Sequence, residues 1–128
     1  MCSPIRAEAY ALAGLIRIAL RILPLPRVVA LLEHLPRAGH ALNGPTECAF
    51  AAAAAARRAA HPTCLYTALT SFALLARRGY APSLVIGATR DNGFDAHAWV
   101  IVGGAPVLPC RRDYTPLWRY AASSAEAR

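Results

Sequence analysis

Apolar residues recur at three- and four-residue steps from Glu8 to Leu23, through Leu12, Leu15, Ile16, Ala19, Ile22 and Leu23, with Arg17 and Arg21 together on another side. This spacing predicts an amphipathic helix. Pro24 and Pro26 stop it, and helical spacing resumes from Arg27 to Leu35 through Val28, Leu31, Leu32 and Leu35. A helical hairpin or bent pair is expected. The stretch from Pro36 to Pro45, with its glycines, prolines and Asn43, reads as a loop. Thr46 to Ala60 has high helix propensity and little bulk, because Ala51 to Ala56 is an unbroken alanine run that can lie close to a neighbouring backbone. His61-Pro62 ends this segment.

Thr63 is a plausible N-cap for a further helix from Cys64 to Arg78, apolar through Leu65, Leu69, Phe72, Leu75 and Ala76, with Gly79 as its stop. From Ser83 the pattern changes. Ser83 to Thr89 and Ala96 to Val102 are β-rich, with a turn signal at Asp91-Asn92-Gly93 between them. Gly103-Gly104 marks a second turn, and Ala105 to Cys110 is a candidate third strand of an antiparallel meander. Beyond Arg111 the pattern is irregular, apart from the aromatic residues Tyr114, Trp118 and Tyr120, which would pack back on the sheet or line a groove. Helices followed by a small antiparallel sheet define an α+β class.

The chain has 128 residues and is 56% hydrophobic, enough to bury a core, so one domain spanning residues 1–128 is expected. Its helical opening is 8–35 and its core about 46–120. All fourteen basic residues are arginine; against seven acidic residues they give a formal net charge of +7, which suits an acidic partner. The arginines are dispersed, with few aromatics between them and no zinc-finger spacing, so nucleic acid is not the expected partner and a solvated basic face is the plain alternative. Arg17, Arg21, Pro24, Pro26 and Arg27 interrupt the apolar opening too often for it to span a bilayer comfortably, which leaves surface contact with a membrane as a lesser expectation. No secretory signal precedes the cysteines, so a cytoplasmic chain with reduced thiols is expected.

Cys2, Cys48, Cys64 and Cys110 lie far apart without C-x-x-C spacing, which argues against a zinc site. Cys64 is distinct in opening a predicted helix, where unpaired amides and the helix dipole favour a thiolate and could bind an oxyanion. A thiolate nucleophile needs an imidazole to protonate the leaving amine. His97 is the best candidate, on a strand face shared with Asp95, Trp99 and Ile101 by period-two alternation. Taken alone, a cysteine in an apolar chain is more often a buried small hydrophobe, and a single strand histidine is more often structural. His34, His40 and His61 read as loop or surface groups, and the other three cysteines as structural or incidental.

The words His61-Pro62-Thr63-Cys64-Leu65-Tyr66, Leu74-Leu75-Ala76-Arg77-Arg78-Gly79, Leu84-Val85-Ile86-Gly87 and Phe94-Asp95-Ala96-His97-Ala98-Trp99-Val100 occur in this order. Together they resemble the lasso-peptide leader peptidases, the transglutaminase-like B proteins of lasso-peptide biosynthesis. The resemblance covers nearly the whole chain, including the Pro-interrupted opening from Leu15 to Leu32. It implies a transglutaminase-like, papain-like fold with Cys64 as nucleophile and His97 as general base and acid. The implied reaction is hydrolysis of one peptide bond in a ribosomally made precursor peptide, with no metal or organic cofactor. The implied partners are a separate leader-recognition protein, since the chain opens directly on its helices, and an ATP-dependent lasso cyclase.

The family's usual third member is an aspartate about a dozen residues after the histidine, where it orients the imidazole. Here that position is Pro109, and Asp113, four residues further, is the candidate replacement; Asp95 is too near His97 in sequence to orient it easily. Ile101 stands where relatives often carry an acidic residue. Two rivals keep their place beside the peptidase: a transglutaminase-like acyl transferase, and a catalytically silent scaffold that holds the precursor on its basic surface.

Overall fold

The computed structural model describes residues 4–35, 44–58, 64–89, 95–107 and 115–121. Four helices, α1 (Pro4–Ile22), α2 (Leu25–Glu33), α3 (Pro45–Arg58) and α4 (Cys64–Arg77), precede four strands, β1 (Ser83–Thr89), β2 (Asp95–Val102), β3 (Ala105–Pro106) and β4 (Thr115–Ala121). The α+β expectation holds. The strands form one antiparallel sheet in the order β3-β2-β1-β4.

The prolines between α1 and α2 end one helix and start the next. Pro24 is the N-cap of α2, its carbonyl accepting the amides of Arg27 and Val28, and Pro26 lies in the first turn, where a missing N–H costs nothing. This is why α2 begins at Leu25, ahead of the resumption expected at Arg27. α1 likewise starts at Pro4, one turn before Glu8.

α4 is the central helix and packs against α1, α2, α3 and the sheet. Phe72, Leu69, Leu74 and Leu75 are fully buried on it. The alanine run of α3 meets this core with Ala51, Ala52, Ala55 and Ala56 buried, so the small side chains bring α3 close to α1 and α4. At its C-terminus α4 closes in a Schellman motif: Tyr80 N–H donates to the Leu75 carbonyl and Gly79 N–H to that of Ala76, with Gly79 at φ 87°. Gly79 supplies the left-handed conformation that a side chain would resist.

The Arg77-Arg78 pair departs from a solvated basic face. Arg78 is buried and grips Glu8 of α1 with both fork nitrogens, Nη2 to Oε1 at 2.6 Å and Nη1 to Oε2 at 2.9 Å, while Nη1 also donates to the Leu74 carbonyl at 3.1 Å. Arg77 Nη1 donates to the same Oε2. One carboxylate therefore joins the start of α1 to the end of α4. The hydrogen bonding to the Glu8 carboxylate is the main reason the Arg78 guanidinium holds its proton still more firmly than usual.

β1 is the middle of the sheet, paired with β2 from Ser83–Ile101 to Thr89–Asp95 and with β4 on its other side. The hairpin over β1 and β2 agrees with the sequence expectation, whereas the described part of the third strand is only Ala105–Pro106. β4 was not foreseen. Its Trp118 and Tyr120 face the helices: Tyr120 meets Phe72 edge-on at 6.1 Å and donates a 2.6 Å hydrogen bond to the Oε1 of the buried Glu33. The aromatic residues thus pack onto the core as part of the sheet; Tyr114 lies outside the described residues.

Two outcomes test these ties. Glu8→Ala leaves Arg78 buried without its counter-charge and should cost about 3 kcal/mol, read as a lowered urea midpoint at unchanged slope, with Glu8→Gln losing less. The Tyr120 phenol is pushed up to about 12, first by its hydrogen bond to Glu33 and then by burial. Because the fold favours the protonated phenol, this contribution is complete below the ordinary value near 10 and is lost as pH rises through about 12. Tyr120→Phe should flatten that alkaline decline in a stability profile against pH.

Candidate active site

Cys64 is the first residue of α4, half-buried and packed against the hydrophobic core. The opening amides of a helix have no intrahelical partner, so a carbonyl oxygen held beside Cys64 meets donors already aimed outward. Thr63, its expected N-cap, lies outside the described residues. Cys48 is fully buried in α3, and burial pushes it up to about 11, so it stays protonated and inert at neutral pH.

His97 is the third residue of β2, half-buried, opposite Gly87 of β1. Its ring stacks on Trp99 at 5.9 Å between centroids and 18° between planes. Gly87 makes room for this stack: a Cβ there would lie 2.8 Å from the Trp99 ring and 2.7 Å from the Thr115 carbonyl oxygen. The same position carries the irregularity in the β1–β4 register, between Ile86 and Gly87. A glycine inside a strand signals such a close approach, and this was the clue available in the sequence.

Residues 78–82 join the end of α4 to the start of β1, with the chain turning at Gly79. β2 runs antiparallel to β1, and both strands pack against α4. Cys64 opens α4 and His97 stands near the start of β2, so the two residues lie on elements that pack together.

They approach the sheet from different sides. Ala98 and Val100 are buried in the helix-facing core, so strand alternation places His97 and Trp99 on the outer face, with Gly87. Yet β3 pairs only with Ile101 and Val102, and among the described residues the leading part of β2, from Asp95 to Trp99, has no strand on that side. Asp113 and Pro109 lie outside the described residues, as do Cys2, Cys110, His40 and His61; of Asp95 only the backbone is described. His34 is exposed at the end of α2, as expected of a surface group.

Among the described residues, no group of three or more His, Cys, Asp or Glu is placed to hold a metal ion. The half-buried thiol at the start of α4 and the Trp99-stacked imidazole on β2 are the candidate reactive groups of the described residues. Residues 10–119 match the transglutaminase-like superfamily, and the chain belongs to it. That superfamily includes cysteine peptidases and acyltransferases. No curated protein and no solved structure matches the chain.

Gly87→Ala should disturb both the β1–β4 register and the His97–Trp99 stack, because the Thr115 backbone cannot give way as a flexible side chain would. The expected result is a loss of about 1–3 kcal/mol in denaturant unfolding. An altered near-ultraviolet circular dichroism signal from Trp99 should accompany it.

Proposed function

We propose that the chain is a cysteine peptidase that removes the leader from a ribosomally made lasso-peptide precursor. What supports this reading is Cys64 as the first residue of the central helix of a transglutaminase-like chain, with His97 on β2, a strand that packs against that helix. The sequence words around Cys64, Arg77-Arg78-Gly79 and His97 narrow it to the leader peptidases by resemblance.

In this scheme the Cys64 thiolate attacks the scissile carbonyl, and the helix-start amides receive the oxyanion. The C–N bond breaks as the His97 imidazolium gives its proton to the leaving amine. His97 then accepts a proton from water, which attacks the thioester and frees Cys64. Asp113 is the candidate to hold the second ring nitrogen in place of the aspartate that Pro109 displaces. A separate leader-recognition protein would deliver the precursor in the cytoplasm, and an ATP-dependent cyclase would close the released core. The chemistry requires no metal or organic cofactor.

Mass spectrometry on precursor and recognition protein incubated with the chain should show the leader lost, and Cys64→Ala should abolish that loss. Leader removal by the alanine variant would overturn the assignment, while a retained leader bearing a new amide would establish acyl transfer instead. The silent scaffold makes a further distinguishable claim. In the folded protein at neutral pH, Cys64 should be alkylated faster than Cys2 or Cys110; a Cys64 that reacts no faster than these would favour the scaffold.

A further inference from the structure

α1 is apolar on two sides. Ala9, Leu12, Ala13, Ile16 and Ala19 bury one of them in the core. On the other, Leu15, Ile18 and Ile22 recur at helical spacing and stand 37%, 63% and 74% exposed. Isolated exposed aliphatics are ordinary on a protein surface, but a stripe along one helix marks a face that something covers.

The charges around this stripe indicate what covers it. Arg6, Arg17 and Arg21 lie on α1 and Arg27 opens α2; Arg6, Arg21 and Arg27 are exposed and Arg17 is half-exposed. The only acids of these two helices are turned to other work: Glu8 is held by Arg77 and Arg78, and the buried Glu33 accepts from Tyr120. The face that carries Ile18 and Ile22 has Arg17 and Arg21 on the adjoining side of α1 and Arg27 at the start of α2, with no exposed carboxylate on either helix. At its end, Pro24 and Pro26 are also exposed, so the corner between α1 and α2 projects Ile22 and two prolines between Arg21 and Arg27.

We propose that the α1–α2 corner is a peripheral docking surface for an anionic lipid bilayer. A second copy of the chain is disfavoured by the net charge of +7, which sets arginine against arginine. Three aliphatic side chains on a convex helix also fall well short of the roughly 800 Å² per partner that a stable protein interface buries. A bilayer demands no complementary shape. It takes up projecting aliphatics at the headgroup boundary while anionic headgroups meet the arginines. No described helix is long and apolar enough to cross a membrane, so contact through this corner is superficial and reversible.

Vesicle flotation tests the proposal. The full chain should float with vesicles of phosphatidylcholine and phosphatidylglycerol at least about tenfold more than with phosphatidylcholine alone, and high salt should abolish the difference. Ile18→Ser with Ile22→Ser should lower flotation by at least about tenfold, and Arg21→Gln with Arg27→Gln should also lower it while reducing its salt dependence. Circular dichroism and a melting curve establish that each variant is folded, and Ile22→Ser alone replaces the double change should that one melt early. Undiminished flotation by the folded serine variant, or no preference for anionic vesicles, would overturn the proposal. So would the stripe burying itself in a concentration-dependent dimer, detected by sedimentation.

Discussion

The carboxylate of Glu8, held by Arg77 and Arg78, is the constraint on which the helical layer depends. It is a tie across 69 and 70 residues of sequence, from the first turns of α1 to the last turn of α4. A buried charge pair of this kind adds little net stability compared with an apolar replacement, because removing the charges from water costs nearly what their attraction returns. Its value is in specifying register. The fork from Arg78 to Glu8 forms when α1 lies against α4 with Glu8 at its C-terminal end, and the same turn closes through Gly79 before β1 begins. The fork, the Schellman turn and the start of the sheet are thus one local solution. The Cys64 end of α4 inherits its position from it.

α4 then serves two purposes at its two ends. Its C-terminus is committed to charge pairing and chain reversal, and its N-terminus presents Cys64 where unpaired amides favour negative charge. Between them the helix is almost wholly buried, so neither end can shift without disturbing the core against α3 and the sheet. The outer sheet face is organised differently. There Gly87 gives up a side chain so that Trp99 can lie across the strand and stack on His97, which fixes the ring plane on one side.

Much of this was legible in the sequence. Periodicity located α1, α2 and α4, the helix propensity of the alanine run located α3, and β-rich segments about a turn signal located the β1–β2 hairpin. Cys64 at a helix start and the strand face of His97 followed from the same patterns. What escaped was long-range. Glu8 looks like any surface acid until Arg78 arrives from the other end of the helical layer, and the pairing of β4 depends on Glu33 and Phe72, which no window around Tyr120 contains. Pro116 and the bulge beside it further masked the strand, since Leu117 falls out of the alternation that Trp118 and Tyr120 maintain. The passage from a helix-facing Cys64 to an outward-facing His97 was also invisible to local pattern, because it depends on which strand face meets α4.

The hydrogen bond from Tyr120 to Glu33 joins residues 87 apart, bringing the last described strand to the second helix. A strand at the border of a sheet ordinarily opens first and exchanges its amide hydrogens independently of the core. Here, detaching β4 would break the Tyr120–Glu33 hydrogen bond and the edge-on contact with Phe72 in the same movement. The border of the sheet is therefore coupled to the interior, and the amides that β4 shares with β1 should exchange with the core rather than as a fraying margin.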